Sequence, residues 1–90
     1  MDNPLYRQNK AVIFRQEQDE ALLFNPDNAD IVVINSTGCF IWNLCNGKNR
    51  KKDIVNSLVE EFDVSPSKAE EDLLKFLAEL ENKKLVEKKS

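Results

Sequence analysis

The sequence predicts an α+β domain of winged helix-turn-helix type, a three-stranded antiparallel sheet followed by three helices. Three observations predict it. Residues 11–34 alternate short apolar runs with polar turn signals. From Asn35 onward the apolar residues recur at helical spacing instead. The helical segments are separated by brief polar turns carrying recognisable start and stop residues.

The strands come first. "AVIFR" (Ala11–Arg15) and "ALLF" (Ala21–Phe24) flank the polar stretch "QEQDE", which reads as a hairpin turn. "NPDN" (Asn25–Asn28) is a second turn signal, because Pro26 presets φ and Asn and Asp side chains bond their own backbone. "DIVVIN" then supplies a third strand rich in β-branched residues. Short connections make sequence neighbours sheet neighbours, so the expected order is 1-2-3, with the third strand on an edge. Residues 1–10 read as flexible or as an extra strand.

Asn35 is placed to cap a first helix whose buried face carries Ile41, Leu44 and Cys45, with Phe40 and Trp42 flanking. Gly47 is the expected C-terminal stop. Asn49 is the expected cap of a second helix, in which Ile54, Val55, Leu58, Val59 and Phe62 form the apolar stripe. The basic cluster "KNRKK" (Lys48–Lys52) would open that helix, where positive charge opposes the dipole. Ser65-Pro66 opens a third helix, with Ser as cap and Pro at the first helical position, where no N–H is needed. Its stripe is Ala69, Leu73, Phe76, Leu77 and Leu80, and "KLVEK" (Lys84–Lys88) ends the chain as a short strand or a packed tail.

Composition excludes several functions. Ninety residues make one small domain, and 41% hydrophobic content supports a core. A net charge of −3 argues against a generic nucleic-acid binder. There is no histidine, and two cysteines, Cys39 and Cys45, fall short of a zinc set, so neither metal nor cofactor is expected. Both thiols are expected reduced and buried. No nucleophile–base pair or phosphate loop is recognisable, so an enzyme is not expected. No apolar stretch approaches a membrane span and the N-terminus lacks a signal-peptide core, which makes the cytoplasm the expected location.

One stretch is unusual for a small, highly charged chain. From Ile31 to Cys45 no charge appears, although 32% of all residues are charged. Sheet edges are ordinarily protected by Lys, Pro or a bulge. "IVVI" (Ile31–Ile34) carries none of these, so it is a candidate template for strand addition by a peptide, the alternative being an edge that is short or covered by the N-terminal segment. Alternation turns Val32 and Ile34 to one side and Ile31 and Val33 to the other.

The run "VVINSTGCFIWNLCNGK" resembles the PqqD family. The resemblance rests on Ile34-Asn35, Thr37-Gly38, Ile41, Leu44 and Asn46-Gly47. It continues through Ile54, Leu58 and Phe62, then Asp72-Leu73, Phe76-Leu77, Leu80 and Leu85-Val86. Asn46 stands where the family usually has Asp, and Ile34 where it has Leu. Spacing is kept across about residues 20–87. The resemblance implies a RiPP recognition element (RiPP: ribosomally synthesised, post-translationally modified peptide). Such a domain binds the leader segment of a precursor peptide and presents it to a modifying enzyme, often a radical S-adenosylmethionine enzyme.

It implies a leader strand beside Ile31, Val32, Val33, Ile34 and Asn35, resting on the third helix. With Val32 and Ile34 facing the core, Ile31 and Val33 are freer to meet a ligand. On the helix, Asp72, Phe76, Glu79 and Lys83 share one edge with Lys75 just beyond, while Leu74 and Ala78 line the opposite edge. Either edge is open to the groove at this point. The partners expected are the precursor peptide and its modifying enzyme, with the chain a monomer or homodimer. A winged-helix DNA-binding regulator is the alternative. Its recognition helix would carry Glu70, Glu71, Asp72, Glu79 and Glu81 against Lys68 and Lys75, the wrong sign for phosphate contact.

Overall fold

A computed structural model describes residues 3–89. The described residues form β1 (Leu5–Gln8), β2 (Ile13–Glu17), β3 (Glu20–Asn25), β4 (Asp30–Ile34), α1 (Ser36–Leu44), β5 (Asn46–Arg50), α2 (Lys51–Phe62), α3 (Pro66–Asn82) and β6 (Val86–Lys89). Two antiparallel three-stranded sheets result, ordered β2-β3-β4 and β5-β1-β6. The α+β expectation therefore stands, with the expected sheet in its expected order and a second sheet added.

The β2–β4 sheet follows from its turns. Glu17 pairs with Glu20 across a two-residue turn, in which Gln18 adopts a left-handed φ of 56°. The hairpin is thus tighter than the five-residue turn expected from "QEQDE", and β2 begins two residues later than Ala11. At the next turn the Asn25 side chain accepts from the Asp27 N–H at 3.0 Å, the Asx geometry that "NPDN" predicts. Asn25 is the buried polar residue among those described. Its side-chain amide donates to the carbonyls of Lys83 and Lys84 at 3.3 and 3.1 Å, which ties this turn to the end of α3.

Two helix starts are as expected. The Asn35 side chain accepts from the Gly38 N–H at 2.9 Å, and the Ser65 hydroxyl accepts from the Lys68 N–H at 3.2 Å with Pro66 at the helix start. Others are corrected. α1 ends at Leu44 with Cys45 as its C-cap, so Gly47 is not the helix stop. It lies instead within β5 at φ 81°, packed against the Arg7 side chain. Asn49 is not the cap of α2 either: it too lies in β5, and its amide donates to the Leu44 carbonyl at 3.0 Å. The N-cap is Arg50, whose N–H donates to Asp53 at 2.9 Å. Of the basic cluster only Lys51 and Lys52 are helical, and the carbonyl of Pro4 and the side chain of Asn3 accept from their N–H groups.

The core lies between the β2–β4 sheet and the helices. Leu23, Val32 and Ile34 meet Ile41, Trp42, Ile54, Leu58, Leu73, Leu77 and Leu80, and Tyr6 and Val86 of the second sheet close it together with Leu85, which precedes β6. Trp42 belongs to this core rather than to its flank, and Leu44 sits at the margin. Phe14 stacks on Trp42 with ring centroids 6.5 Å apart, and Phe40 meets Phe62 edge-on at 5.3 Å. Cys39 and Cys45 are free, buried thiols.

Candidate functional site

The hydrogen-bond pattern of the sheet decides which backbone groups are vacant. A two-residue hairpin closes on a pair that exchanges both N–H···O bonds, here Glu17 and Glu20. Alternation then directs the backbone groups of Leu22 and Phe24 to β2, and those of Ala21, Leu23 and Asn25 to β4. Across the ladder these meet Ile34, Val32 and Asp30. The N–H and C=O groups of Ile31 and Val33 are left pointing away from β3. No described strand lies on that side, so this border of the sheet is open.

The two borders of the sheet differ in protection. β2 carries a charged pair on its edge, Arg15 and Glu17 at 3.0 Å. β4 carries one charged residue, Asp30 at its start, and neither Lys, Pro nor a bulge. Its side chains alternate as the sequence predicts. Val32 and Ile34 are 7% and 2% exposed and face the core, whereas Ile31 and Val33 are 58% and 59% exposed.

α3, the helix expected beside this border, is fixed at two points. Near its C-terminal end the Lys83 carbonyl accepts from the Asn25 and Asn28 amides. Two turns earlier, Phe76 comes against Ile34 and Gly38. A Cβ on Gly38 would lie 2.9 Å from Ile34 Cβ and 3.2 Å from two atoms of the Phe76 ring. Phe76 to Lys83 spans about 10 Å of helix, and Asp30 to Ile34 about 13 Å of strand. The C-terminal end of α3 is thus tied to the turn before β4, and its Phe76 to the start of α1 that follows β4. Of the two helix edges left open by sequence, the one bearing Phe76 comes against Gly38 of α1, and Leu74 is exposed.

The remaining candidates are less tightly gathered. Lys75 and Glu79 are exposed beside the half-buried Phe76 and form no ion pair among the described residues. Asp72 is bound to Lys68 at 3.1 Å along the helix surface. The Asn35 side chain is occupied as the α1 cap, although the residue is exposed. Sequence reasoning missed Gly38, whose missing side chain lets ring and strand meet. It also missed Ile13, Leu22 and Phe24, which the register places on the same outward face as Ile31 and Val33. Alternation within "EALLF" carried that signal.

Among the described residues no cluster of His, Cys, Asp or Glu could hold a metal ion, and no helix is long and apolar enough to cross a membrane. Burial pushes the Cys45 thiol up to about 12, and burial raises that of Cys39 as well, so neither thiol is an activated nucleophile.

The profile of the family described as Coenzyme PQQ synthesis protein D (PqqD) matches residues 20–86. The chain belongs to the PqqD family. Among solved structures, the PqqD-family chain is similar to TbiB1 in complex with the TbiA(beta) leader peptide. The TM-score is 0.80 at 30% identity, covering 90% of this chain and 94% of that one. No curated protein matches the sequence.

Proposed function

We propose that this PqqD-family protein is a non-catalytic peptide-binding chaperone. It captures the leader segment of a ribosomally made precursor peptide as a fourth strand on β4 and presents the peptide to a modifying enzyme. The observation that carries this reading is the open, unguarded border at Ile31 and Val33 beside the half-buried Phe76. TbiB1, of similar fold, is in complex with a leader peptide, which supports the same ligand class here. A radical S-adenosylmethionine enzyme in the cytoplasm is the partner that the family resemblance suggests. On the DNA-binding alternative, Glu71, Asp72 and Glu79 lie on the exposed face of α3, where phosphate contact would require cations.

The main-chain groups of Ile31 and Val33 would hold the guest, while Phe76, Lys75 and Glu79 would select its side chains. The test is Val33→Pro, assayed by calorimetry with the leader peptide of the precursor encoded beside the chain. The wild-type dissociation constant should lie between nanomolar and low micromolar, roughly −12 to −8 kcal/mol. Proline removes the outward N–H without removing a β3–β4 ladder bond, so the fold should persist while affinity falls at least tenfold. Unchanged affinity in a folded variant would falsify strand addition at this border.

A further inference from the structure

Where the chain leaves α3, three asparagine side chains meet on two consecutive carbonyls. The Asn9 amide donates to the Lys84 carbonyl at 2.8 Å, and the Asn28 amide donates to the Lys83 carbonyl at 3.3 Å. The buried Asn25 amide donates to both, at 3.3 and 3.1 Å. Each asparagine also holds its own turn. Its side-chain oxygen accepts from the N–H two residues on, those of Ala11, Asp27 and Asp30, at 3.0 Å in every case. The oxygen serves the local chain and the amide serves the helix exit.

These bonds join parts far apart in sequence. Asn9 follows β1, Asn25 ends β3 and Asn28 lies in the turn before β4, so both sheets are tied to the same two residues. The exit itself is closed. Lys84 takes a left-handed φ of 60°, and the Leu85 N–H donates back to the Leu80 carbonyl at 2.8 Å.

We propose that Asn9, Asn25 and Asn28 are positioning residues of the leader site, which hold α3 at a preset place relative to β4. The inference rests on capture of the leader at β4, with Phe76 and Glu79 selecting its side chains. Glu79 and Phe76 stand one turn and two turns back from Lys83 along α3. Ile31 and Val33 lie one and three residues beyond Asp30, whose N–H Asn28 holds. One clamp therefore bears on both halves of the site. Walls fixed before the guest arrives need less ordering when it binds, and that saving appears as affinity.

An amide both donates and accepts, whereas an ionised carboxylate only accepts. Asn25→Asp therefore keeps an acceptor for its turn and removes both bonds to the helix exit. Asn28→Asp does the same at an exposed position and serves should the buried charge unfold the first variant. Asn49→Asp is the matched control, because its amide donates to the Leu44 carbonyl at 3.0 Å from the second sheet. The probe is the labelled leader peptide of the precursor encoded beside the chain, read by anisotropy with the full chain. Each variant is assayed at a temperature where circular dichroism shows it fully folded. Affinity should fall at least fivefold in Asn25→Asp and about twofold to threefold in Asn28→Asp, and should hold within about 1.5-fold in Asn49→Asp.

A purely structural role would lower Tm and leave the affinity of the folded protein alone. A double-mutant cycle with Phe76→Ala adds a second discrimination. On that background the effect of Asn25→Asp, or of Asn28→Asp in its place, should shrink to less than half, because the wall being positioned has lost its ring. Wild-type affinity in the folded clamp variants overturns the proposal. So does an effect undiminished by Phe76→Ala, or an equal loss in Asn49→Asp. If Val33→Pro weakens binding while the clamp variants bind as wild type, strand addition stands and this inference alone falls. If the wild-type chain binds no leader peptide, the reading under Proposed function fails first and takes this one with it.

Discussion

Replacing Gly38 by Ala sets two effects of opposite sign against each other. Gly38 occupies the first turn of α1, where alanine ordinarily stabilises a helix by roughly 0.5–1 kcal/mol. The new Cβ, however, would stand 2.9 Å from Ile34 Cβ and 3.2 Å from two atoms of the Phe76 ring. Ile34 Cβ is fixed to its backbone by a single bond, so β4 and α1 must separate or the Phe76 ring must move outward. Overpacking of this kind costs about 1–3 kcal/mol. The overlap should win, leaving a net loss of about 1–2 kcal/mol. At about 2.1 cal/mol/K per residue the unfolding entropy of a chain this size is about 0.19 kcal/mol/K, so Tm should fall by about 5–10 °C. Thermal unfolding followed by far-UV circular dichroism measures this. A Tm equal to or above wild type would refute the close approach of strand, helix and ring. Under the proposed function, leader-peptide affinity in the folded variant should drop several-fold, because Phe76 is among the residues proposed to select the guest's side chains.

Removing the α1 cap by Asn35→Ala should cost about 1 kcal/mol, seen as a Tm about 5 °C lower in the same assay. Cys45 should resist iodoacetamide at pH 8 in the folded protein and react once the chain is denatured, because burial holds its thiol up at about 12. The raised folded value also fixes a sign. Its stabilising contribution is complete below the ordinary thiol range near 9 and is lost as pH climbs towards 12, so Cys45→Ala should lose less stability over that window in denaturant titrations.

Local chemistry made the β2–β4 sheet and the starts of α1 and α3 legible. Pro26 and its Asn and Asp neighbours specify one turn, Asn35 and Ser65 each satisfy an orphan helix N–H, and β-branched residues at 31–34 alternate between core and solvent. β5 was not legible, because "NGKNR" has neither an apolar residue nor a period. It is a strand because β1 pairs with it from far along the chain, Leu5 opposite Arg50. The same long-range pairing explains why Gly47 and Asn49 were misread: each is a good helix terminator locally, yet both were recruited into a strand. At the candidate site, Ile31 and Val33 were readable from alternation. The edge of α3 facing them was not, since the spacing of Phe76 and of Leu74 fits a groove wall equally well. Folding brings Phe76 against Gly38, a contact that no spacing in the sequence announces.

The pairing of Leu5 with Lys89 brings the first and last described strands together on the β5-β1-β6 sheet, while the open border belongs to the other sheet. Extra polypeptide attached at either end would therefore start from the sheet that does not contain β4. A purification handle, a fluorescent reporter or an entire catalytic domain could be joined there without obstructing the guest. By the same geometry, a few-residue linker could weld the two ends together and new termini could be cut at Gln18–Asp19, giving a permuted chain that keeps the same border on offer.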